Sequence, residues 1–184
     1  GTDYLFTIPI QKGSDFLNIR DRKIDSNFAK IKLLNKLSHA YGKAPFFTTT
    51  YPIIEEIIQN KEDNLFLYIL SSVISICRFL KIGTTIITSS TIPIDHSLSG
   101  ENKVLDFCQK LEANIYINAI GGQELYDKES FKKIGCDLQF IKSDQINYNQ
   151  FYEPFVPNLS VLDLMMFNKK EDIRNMLTQY SIIQ

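Results

Sequence analysis

The residues best suited to chemistry lie in a polar turn that follows an apolar segment. Ile115, Tyr116 and Ile117 favour a buried strand, because β-branched and aromatic side chains suit a pleated surface. Gly121 and Gly122 follow the segment, and glycine allows other groups to approach the backbone closely. Open α/β sheets bind their ligands beyond the carboxyl ends of their strands. The turn is therefore predicted to line a binding site.

Two tyrosines flank that turn, and each allows two interpretations. The ring of Tyr116 or Tyr126 could stack on a sugar or a base, although a buried tyrosine with a hydrogen-bonded hydroxyl is the commoner case. Gly121 and Gly122 also fit an ordinary strand-to-helix turn, and they match neither a dinucleotide fingerprint nor a P-loop. All four residues are predicted to bind substrate, with a purely structural role as the alternative.

A second polar turn follows a second predicted strand. Thr84 to Thr88 is rich in β-branched residues, and Ser89 and Ser90 come directly after it. Two hydroxyls and free backbone amides could hold a phosphate or a sugar hydroxyl, whereas the alternative is an ordinary polar turn. If the predicted strands run parallel, both turns lie at one edge of the sheet. The loop carrying Gln150 would then reach the same edge.

Three further polar side chains are candidates for the site. Asp163 could act as a general base, but Ser160-x-x-Asp163 also fits a capping box at the start of a helix. Lys43 could contact an anion such as phosphate, or it could be a surface lysine at a helix C-terminus. Gln150 could bind the polar edge of a ligand or lie exposed in its loop. Asp163 is therefore predicted as catalytic, and Lys43 and Gln150 as substrate-binding.

The familiar catalytic sets are absent from the local sequence pattern. His96 is the only plausible imidazole base, and we expect it to be exposed to solvent. No Ser-His-Asp or Cys-His set can be assembled from the spacing, no metal site is predicted, and the cofactor stays unknown. Three scattered cysteines suggest inert thiols in a reducing compartment. They are Cys77, Cys108 and Cys136.

The elements that must position these residues alternate between strand and helix. This order favours right-handed crossovers and a parallel sheet. We predict a single α/β domain over residues 1–184, with a short, mostly parallel, Rossmann-like sheet flanked by helices and a helical C-terminal end. The predicted elements of this part are strands at Thr84–Thr88, Asn114–Asn118 and Asp137–Ile141, and helices at Glu101–Leu111, Lys128–Ile134, Ser160–Phe167 and Glu171–Tyr180.

The first half of the chain is predicted to be mainly helical. The segment from Leu65 to Leu80 is apolar nearly all round, which is typical of a central, buried helix. The other predicted elements of this half are strands at Tyr4–Ile10 and Asn18–Ile24 and helices at Asn27–Tyr41 and Tyr51–Gln59.

The bulk properties exclude several classes of protein. A hydrophobic fraction of 44% with 22% charged residues argues against disorder. A net charge of −1 gives no electrostatic case for binding nucleic acid or anionic lipid. No apolar run reaches the ~18 residues of a membrane span, and no signal peptide is visible, so we expect a cytoplasmic protein. The chain begins at Gly1, and we expect that its native N-terminal head is missing.

A series of short motifs runs in order along nearly the whole chain. They are Thr7-Ile8-Pro9-Ile10, Tyr41-Gly42-Lys43-Ala44-Pro45-Phe46-Phe47, Ser89-Ser90, Ala113 with Tyr116 and Gly121-Gly122, Tyr126-Asp127 with Phe131, Gly135, Tyr148-Asn149-Gln150 and Phe155-Val156-Pro157-Asn158-Leu159-Ser160-Val161-Leu162-Asp163. In this order they resemble the WbqC-like family of bacterial proteins. The chain departs from that family by lacking its opening Gln-Pro-x-x-Phe-Pro-x-x-Gly-Tyr-type strand and turn, and a tryptophan near Phe28.

The resemblance implies a cytoplasmic bacterial protein encoded among genes for O-antigen and other surface polysaccharides. The expected function is an enzyme, a transferase that modifies a nucleotide-activated or amino sugar by acyl or aminoacyl transfer. The alternative is a non-catalytic sugar-nucleotide-binding or scaffold subunit that serves a neighbouring enzyme. The expected partner is a sugar or nucleotide sugar, without nucleic acid or membrane insertion, and the chain could form a homodimer. If the family's opening turn binds a nucleotide, this sequence lacks part of that site.

Overall fold

The computed structural model describes residues 3–183 of this α/β protein, which divides into two compact units. The first unit comprises Gly1–Gly83 and Ile146–Met176, and the second comprises Thr84–Gln145 and Leu177–Gln184. Within residues 3–183, no helix is long and apolar enough to cross a membrane. The helices and strands are, in chain order, α1 (Lys30–Tyr41), α2 (Phe47–Gln59), α3 (Leu65–Leu80), α4 (Gly100–Lys110), β1 (Ile115–Ala119), α5 (Lys128–Lys133), β2 (Asp137–Ser143), α6 (Val161–Phe167), α7 (Lys170–Met176) and β3 (Tyr180–Ile183).

The core of the first unit joins α1, α2, α6 and α7 with the last residue of α3, Leu80. Leu33, Leu34 and Leu37 recur at helical spacing, so that one face of α1 is buried while the opposite face meets water. Met165 and Met166 of α6 are almost completely buried in the same cluster. The core therefore holds the end of α1 and the short helix α6 in one packed unit, and this arrangement positions the site described below.

Helix α3 has the predicted bounds but is not the central, buried helix. Its start is fixed by Asn64, whose side chain accepts a hydrogen bond from the Leu67 amide, as is typical of an N-cap. The prediction of burial is wrong, because an apolar circumference does not reveal which faces a partner covers. The buried residues of α3 are Tyr68 and Leu80, whereas the exposed apolar ones are Leu67, Ile69, Val73 and Ile74.

Thr50 links α2 to α6 through a buried hydrogen bond. The side chain is fully buried, and its Oγ1 donates to the Met165 carbonyl oxygen over 2.8 Å. Valine keeps the shape but removes the donor, so we expect Thr50→Val to lower the free energy of unfolding of the first unit by about 1–2 kcal/mol in urea denaturation. Thr49→Val is the matched control, since Thr49 bonds the Phe46 carbonyl at an exposed position. Equal losses in the two variants would contradict the role of Thr50.

The second unit is built on a three-stranded sheet in the order β1-β2-β3. Strands β1 and β2 pair in parallel from Ile115↔Asp137 to Ala119↔Ile141, with α5 in the connection, as predicted. Strand β3 pairs with β2 in the antiparallel direction. The sheet is therefore mixed. The α/β class is confirmed, whereas a mostly parallel, Rossmann-like sheet is not.

The predicted strand from Thr84 to Thr88 does not form. These residues have no assigned secondary structure, and Ile86 and Ile87 are 44% and 54% exposed. The prediction is wrong because β-branched residues favour an extended backbone, while a strand also requires a neighbouring strand to pair with. The sheet therefore contains β1 and β2 as parallel neighbours, without the third parallel strand that the sequence pattern suggested.

The predicted N-terminal strands are also wrong. Residues 4–9 have no regular secondary structure, and Ile10 forms only an isolated antiparallel bridge with Ile24. The segment predicted as Asn18–Ile24 contains the 3-10 turn Ile19–Asp21 instead of a strand. Charged residues and the absence of a long pairing partner account for the difference.

The C-terminal end is helical only in part. Helices α6 and α7 form, but α7 ends at Met176, and the chain continues as strand β3 at Tyr180–Ile183. The prediction of a helix that reaches Tyr180 is therefore wrong. The partner of β3 is β2, which lies far away in the sequence, so that the local pattern of residues could not reveal the pairing.

Candidate functional site

A buried carboxylate marks the candidate site of the first unit. Among residues 3–183, Asp163 is the one buried side chain that carries a formal charge, with 4% of its surface exposed. It lies in the first turn of α6, whose N-cap Ser160 accepts a hydrogen bond from the Leu162 amide over 3.3 Å. A buried carboxylate without partners is very unfavourable, so its neighbours determine what it can do.

Three neutral donors surround the Asp163 carboxylate. The Tyr41 hydroxyl donates to Oδ1 over 2.8 Å, and the Tyr148 hydroxyl donates to Oδ2 over 2.6 Å. The Gln150 Nε2 also donates to Oδ2, over 3.1 Å. An ionised carboxylate has about four acceptor positions, so one position remains for another donor. The Asp163 side chain therefore bonds to the two tyrosines and Gln150. The predicted capping of α6 is provided by Ser160, whose hydroxyl accepts a hydrogen bond from the Leu162 amide.

The orientation of Gln150 is fixed by the loop that carries it. Its Nε2 donates to the Val156 carbonyl over 3.0 Å, and its Oε1 accepts from the Val156 amide over 2.9 Å. Both ends of the side-chain amide are therefore used, which determines that the nitrogen faces Asp163. The loop from Tyr148 to Val156 is in this way tied to α6 and to the end of α1.

Asp163 lies in the wall of a cavity of about 340 Å³. Gln150 and Tyr41 share the polar side of this cavity, and aromatic rings form much of the rest. The rings of Phe151 and Phe167 meet edge to face with centroids 4.8 Å apart. Ligand sites of this size combine mainly apolar walls with a few oriented polar groups. We define the Asp163 cavity by Asp163, Tyr41, Gln150, Phe151 and Phe167.

The two tyrosines beside Asp163 are held in their protonated form. Burial raises the pKa of Tyr41 well above its ordinary value, and the hydrogen bond to Asp163 raises that pKa further. Burial likewise raises the pKa of Tyr148, to which the hydrogen bond with Asp163 also contributes. Both hydroxyls are therefore hydrogen-bond donors near neutral pH, and the Asp163 side chain accepts a hydrogen bond from each of them.

These raised pKa values predict a loss of stability in alkali. In the unfolded chain a tyrosine loses its proton near pH 10, whereas folded Tyr41 and Tyr148 keep theirs to higher pH. Above about pH 10 the unfolded state therefore binds fewer protons, so the free energy of unfolding falls as pH rises. We expect a shallower fall in a Tyr41→Phe/Tyr148→Phe variant, measured by urea denaturation from pH 8 to 11. Identical slopes in the variant and the unchanged protein would contradict this account.

Two of the predicted site residues come together in the first unit, and a third does not join them. Gln150 and Asp163 are hydrogen-bonded to each other and line the same cavity. Lys43 is exposed in the turn between α1 and α2 and does not line the Asp163 cavity. Its predicted role as an anion contact therefore has no support from this cavity.

Tyr116 and Tyr126 are brought together in the second unit. Their ring centroids are 5.8 Å apart, and the Tyr116 ring stacks on Phe131 with centroids 5.4 Å apart. Burial raises the pKa of Tyr116, and a hydrogen bond with Tyr126 raises it further. One face of Tyr116 is thus occupied by the core of this unit. The geometry matches the structural alternative of a packed tyrosine with a satisfied hydroxyl.

Gly121 and Gly122 follow β1 directly, as predicted, in the 3-10 segment Ile120–Leu125. Gly121 is exposed and open, whereas Gly122 is buried. A Cβ at Gly122 would lie 2.9 Å from Asn118 Nδ2 and 3.6 Å from Tyr126 Cε2. Close packing of neighbouring side chains therefore explains why a glycine suits position 122.

Ser89 and Ser90 lie in an exposed 3-10 turn of the second unit. Thr84–Thr88 is not a strand, so the sheet does not deliver the serines to the edge that follows β1. The topological reason for grouping these serines with Gly121 and Gly122 is therefore lost. The ordinary polar turn, which was the alternative reading of this motif, describes the geometry.

The remaining candidates for chemistry do not line the Asp163 cavity, and His96 is exposed as predicted. His96 Nε2 lies 3.0 Å from the Ile92 carbonyl oxygen, and its ring meets Phe107 edge to face. All three cysteines are free thiols, and burial raises the pKa of Cys108 to about 11. Within residues 3–183, no group of three or more His, Cys, Asp and Glu residues could hold a metal ion.

Sequence reasoning missed the two tyrosines that hold Asp163. Tyr41 is 122 positions away from Asp163 in the chain, so no local spacing connects them. Tyr148 is closer, two residues before Gln150 in an aromatic segment. A weak signal was available, since both tyrosines fall within the short motifs that carry the family resemblance.

The comparisons with known proteins give one result. A model of the WbqC-like protein family matches residues 1–175, which is nearly the whole chain. The match includes Tyr41, Tyr148, Gln150 and Asp163. Neither a curated protein nor a solved structure matches the chain. The chain therefore belongs to the WbqC-like protein family.

Proposed function

We propose that this protein is a cytoplasmic enzyme of bacterial surface-polysaccharide biosynthesis that modifies a sugar in the Asp163 cavity. The substrate is a nucleotide-activated or amino sugar, and the reaction is an acyl or aminoacyl transfer to its hydroxyl or amino group. The proposal extends the family membership, which by itself names no reaction.

One observation carries the proposal: a buried carboxylate with a remaining acceptor position lies in an aromatic cavity. Asp163 is held by three donors, one at the end of α1 and two from the loop that begins at Tyr148. Aromatic faces suit the C–H surface of a sugar ring, and the carboxylate suits a hydroxyl or amine. A purely structural carboxylate would not need to line a cavity of about 340 Å³.

The proposed step uses Asp163 as a general base. As the sugar oxygen or nitrogen attacks the carbonyl carbon of an activated acyl or aminoacyl donor, its proton passes to Asp163. The new bond forms to the carbonyl carbon, and the bond between that carbon and the leaving group breaks. Tyr41 and Tyr148 hold the carboxylate in position throughout, because their raised pKa values keep them protonated.

A second candidate function is a non-catalytic subunit that binds the same sugar and docks on a neighbouring enzyme. The exposed apolar face of α3 favours it, since Leu67, Ile69 and Val73 are each more than 40% exposed. Product formation separates the two candidates, because both predict sugar binding and only the enzyme predicts transfer.

A thermal-shift screen tests the proposed function. Amino sugars, nucleotide sugars such as UDP-N-acetylglucosamine, and acyl-coenzyme A are added to the unchanged protein and to Tyr41→Phe. We expect a nucleotide sugar or amino sugar to stabilise the unchanged protein, because a ligand that binds only the folded state raises its melting temperature. The stabilisation should be lost in Tyr41→Phe, which removes the hydrogen bond from the Tyr41 hydroxyl to Asp163 but keeps the aromatic ring at position 41.

Tyr51→Phe is the matched control for this screen. Tyr51 also donates its hydroxyl to a neighbour, the Leu34 carbonyl, but it does not line the Asp163 cavity. We expect its ligand response to equal that of the unchanged protein. Mass spectrometry of the sugar after incubation with an acyl donor then distinguishes enzyme from binding subunit. A Tyr41→Phe variant that responds to every sugar as the unchanged protein does would refute the proposal.

A further inference from the structure

A second cavity of about 340 Å³ lies in the first unit, between the N-terminal segment and α1. Lys32 and Lys36 line it from α1, and Tyr4, Phe6 and Phe28 provide aromatic rings. None of its lining residues belongs to the Asp163 cavity. We call it the lysine cavity.

The charged side chains that line the lysine cavity are both basic. Lys32 and Lys36 are four residues apart, so they are neighbours on one face of α1. Within residues 3–183 there is one ion pair, between Lys23 and Asp63. Neither lysine of the cavity is therefore paired with a carboxylate. The cavity lining contains Lys32 and Lys36 and no Asp or Glu, and the nearby Asp25 carboxylate is engaged by the amide of the lining residue Asn27 over 2.8 Å. An anionic group is therefore the natural occupant of this cavity.

The same cavity offers an aromatic surface beside its charge. Lys36 Nζ donates to the Tyr4 hydroxyl over 2.7 Å and lies 4.0 Å from the centroid of that ring. Tyr4 is 62% exposed, so the ring is accessible. A ligand that carries both a phosphate and a flat ring would match this pair of groups.

The two cavities follow one another along α1. Ala29, Lys32 and Lys36 line the lysine cavity, and Ala40 lines the Asp163 cavity. These positions recur every three to four residues, so they share one face of the helix. The rise from Lys36 to Ala40 is about 6 Å. One extended ligand could therefore occupy both cavities.

We propose that the lysine cavity binds the nucleoside diphosphate part of a nucleotide sugar. Lys32 and Lys36 contact the phosphates, the base lies against Tyr4 and Phe28, and the sugar extends along α1 to Asp163. This inference rests on the proposed function, since it supplies the nucleotide half of the same substrate. A nucleoside diphosphate that lacks the sugar should therefore bind in the lysine cavity without any contact to the Asp163 cavity.

Isothermal titration calorimetry with nucleoside diphosphates that lack a sugar tests this inference. UDP, CDP, GDP, ADP and dTDP are titrated into the unchanged protein, with pyrophosphate and the matching nucleosides alongside. We expect one nucleoside diphosphate to bind more tightly than pyrophosphate or its nucleoside. Lys32→Gln/Lys36→Gln should weaken that binding by about 100-fold, because each of the two charge-assisted hydrogen bonds is worth about ten-fold in affinity.

Lys61→Gln is the matched control, because Lys61 is an exposed lysine of the same unit and lies in neither cavity. It should bind the nucleoside diphosphate as the unchanged protein does, and so should Tyr41→Phe. Equal weakening by Lys61→Gln, equal binding of pyrophosphate, or the absence of binding to all five diphosphates would overturn the inference. Sugar binding that depends on Tyr41 would survive any of these results, so failure here is distinct from failure of the proposed function.

Discussion

Asp163→Leu should lower the free energy of unfolding of the first unit by about 3–5 kcal/mol. Leucine has a similar volume but accepts no hydrogen bond, so Tyr41, Tyr148 and Gln150 each lose a partner. A buried donor without an acceptor costs about 1–3 kcal/mol, and partial access to water keeps the total below the sum of three such losses. Chemical denaturation followed by hydrogen exchange of α1 and α6 amides measures the effect in this unit.

Two further substitutions make this prediction sharper. Asp163→Asn keeps one acceptor oxygen, so we expect a smaller loss of about 1–2 kcal/mol. Asp172→Asn is the matched control, because Asp172 is exposed on the next helix, and its loss should stay within about 0.5 kcal/mol. If Asp163→Leu lowered the free energy of unfolding as little as Asp172→Asn does, the hydrogen bonds around Asp163 would not be important for the stability of the unit.

Phe131→Ala should destabilise the second unit by about 3–5 kcal/mol. Phe131 is completely buried, stacks on Tyr116 and meets the edge of Tyr126 with centroids 5.9 Å apart. Truncation removes one of the two buried phenylalanine side chains from a small core and leaves a cavity beside β2. Hydrogen exchange of the Leu138 and Phe140 amides reports the stability of this core directly.

Phe16→Ala provides the comparison for Phe131→Ala. Phe16 is 98% exposed, so the same truncation there should change the free energy of unfolding by no more than about 0.5 kcal/mol. The contrast between the two positions isolates burial from residue type. A loss below about 1 kcal/mol for Phe131→Ala would mean that the second unit is organised around other residues.

Local sequence signals predicted the helices better than the sheet. The bounds of α3 agree with the prediction because Asn64 supplies an N-cap that can be read from the sequence. The parallel pair β1 and β2 was predictable from two apolar segments joined by a helical turn. Thr84–Thr88 and β3 were mispredicted, because pairing depends on partners that are distant in the sequence.

The candidate site was predictable only in part for the same reason. Asp163 and Gln150 were chosen for their chemistry, and they meet in one cavity. Tyr41 reaches Asp163 across 122 positions of sequence, which no spacing rule covers. Ser89 and Ser90 were grouped with the glycines on the assumption of a strand that does not form. The topological reason for placing them with the glycines is lost with that strand, and their role as ligand contacts stays a prediction.

A crystal structure of the protein with the nucleotide sugar that stabilises it most in the thermal-shift screen tests the central claim most directly. We expect the sugar ring to lie in the Asp163 cavity, with a hydroxyl or amine within hydrogen-bond distance of the Asp163 carboxylate. The sugar ring should also contact Phe151 or Phe167, which line that cavity. A sugar bound elsewhere on the protein, with the Asp163 cavity holding only water, would contradict the account.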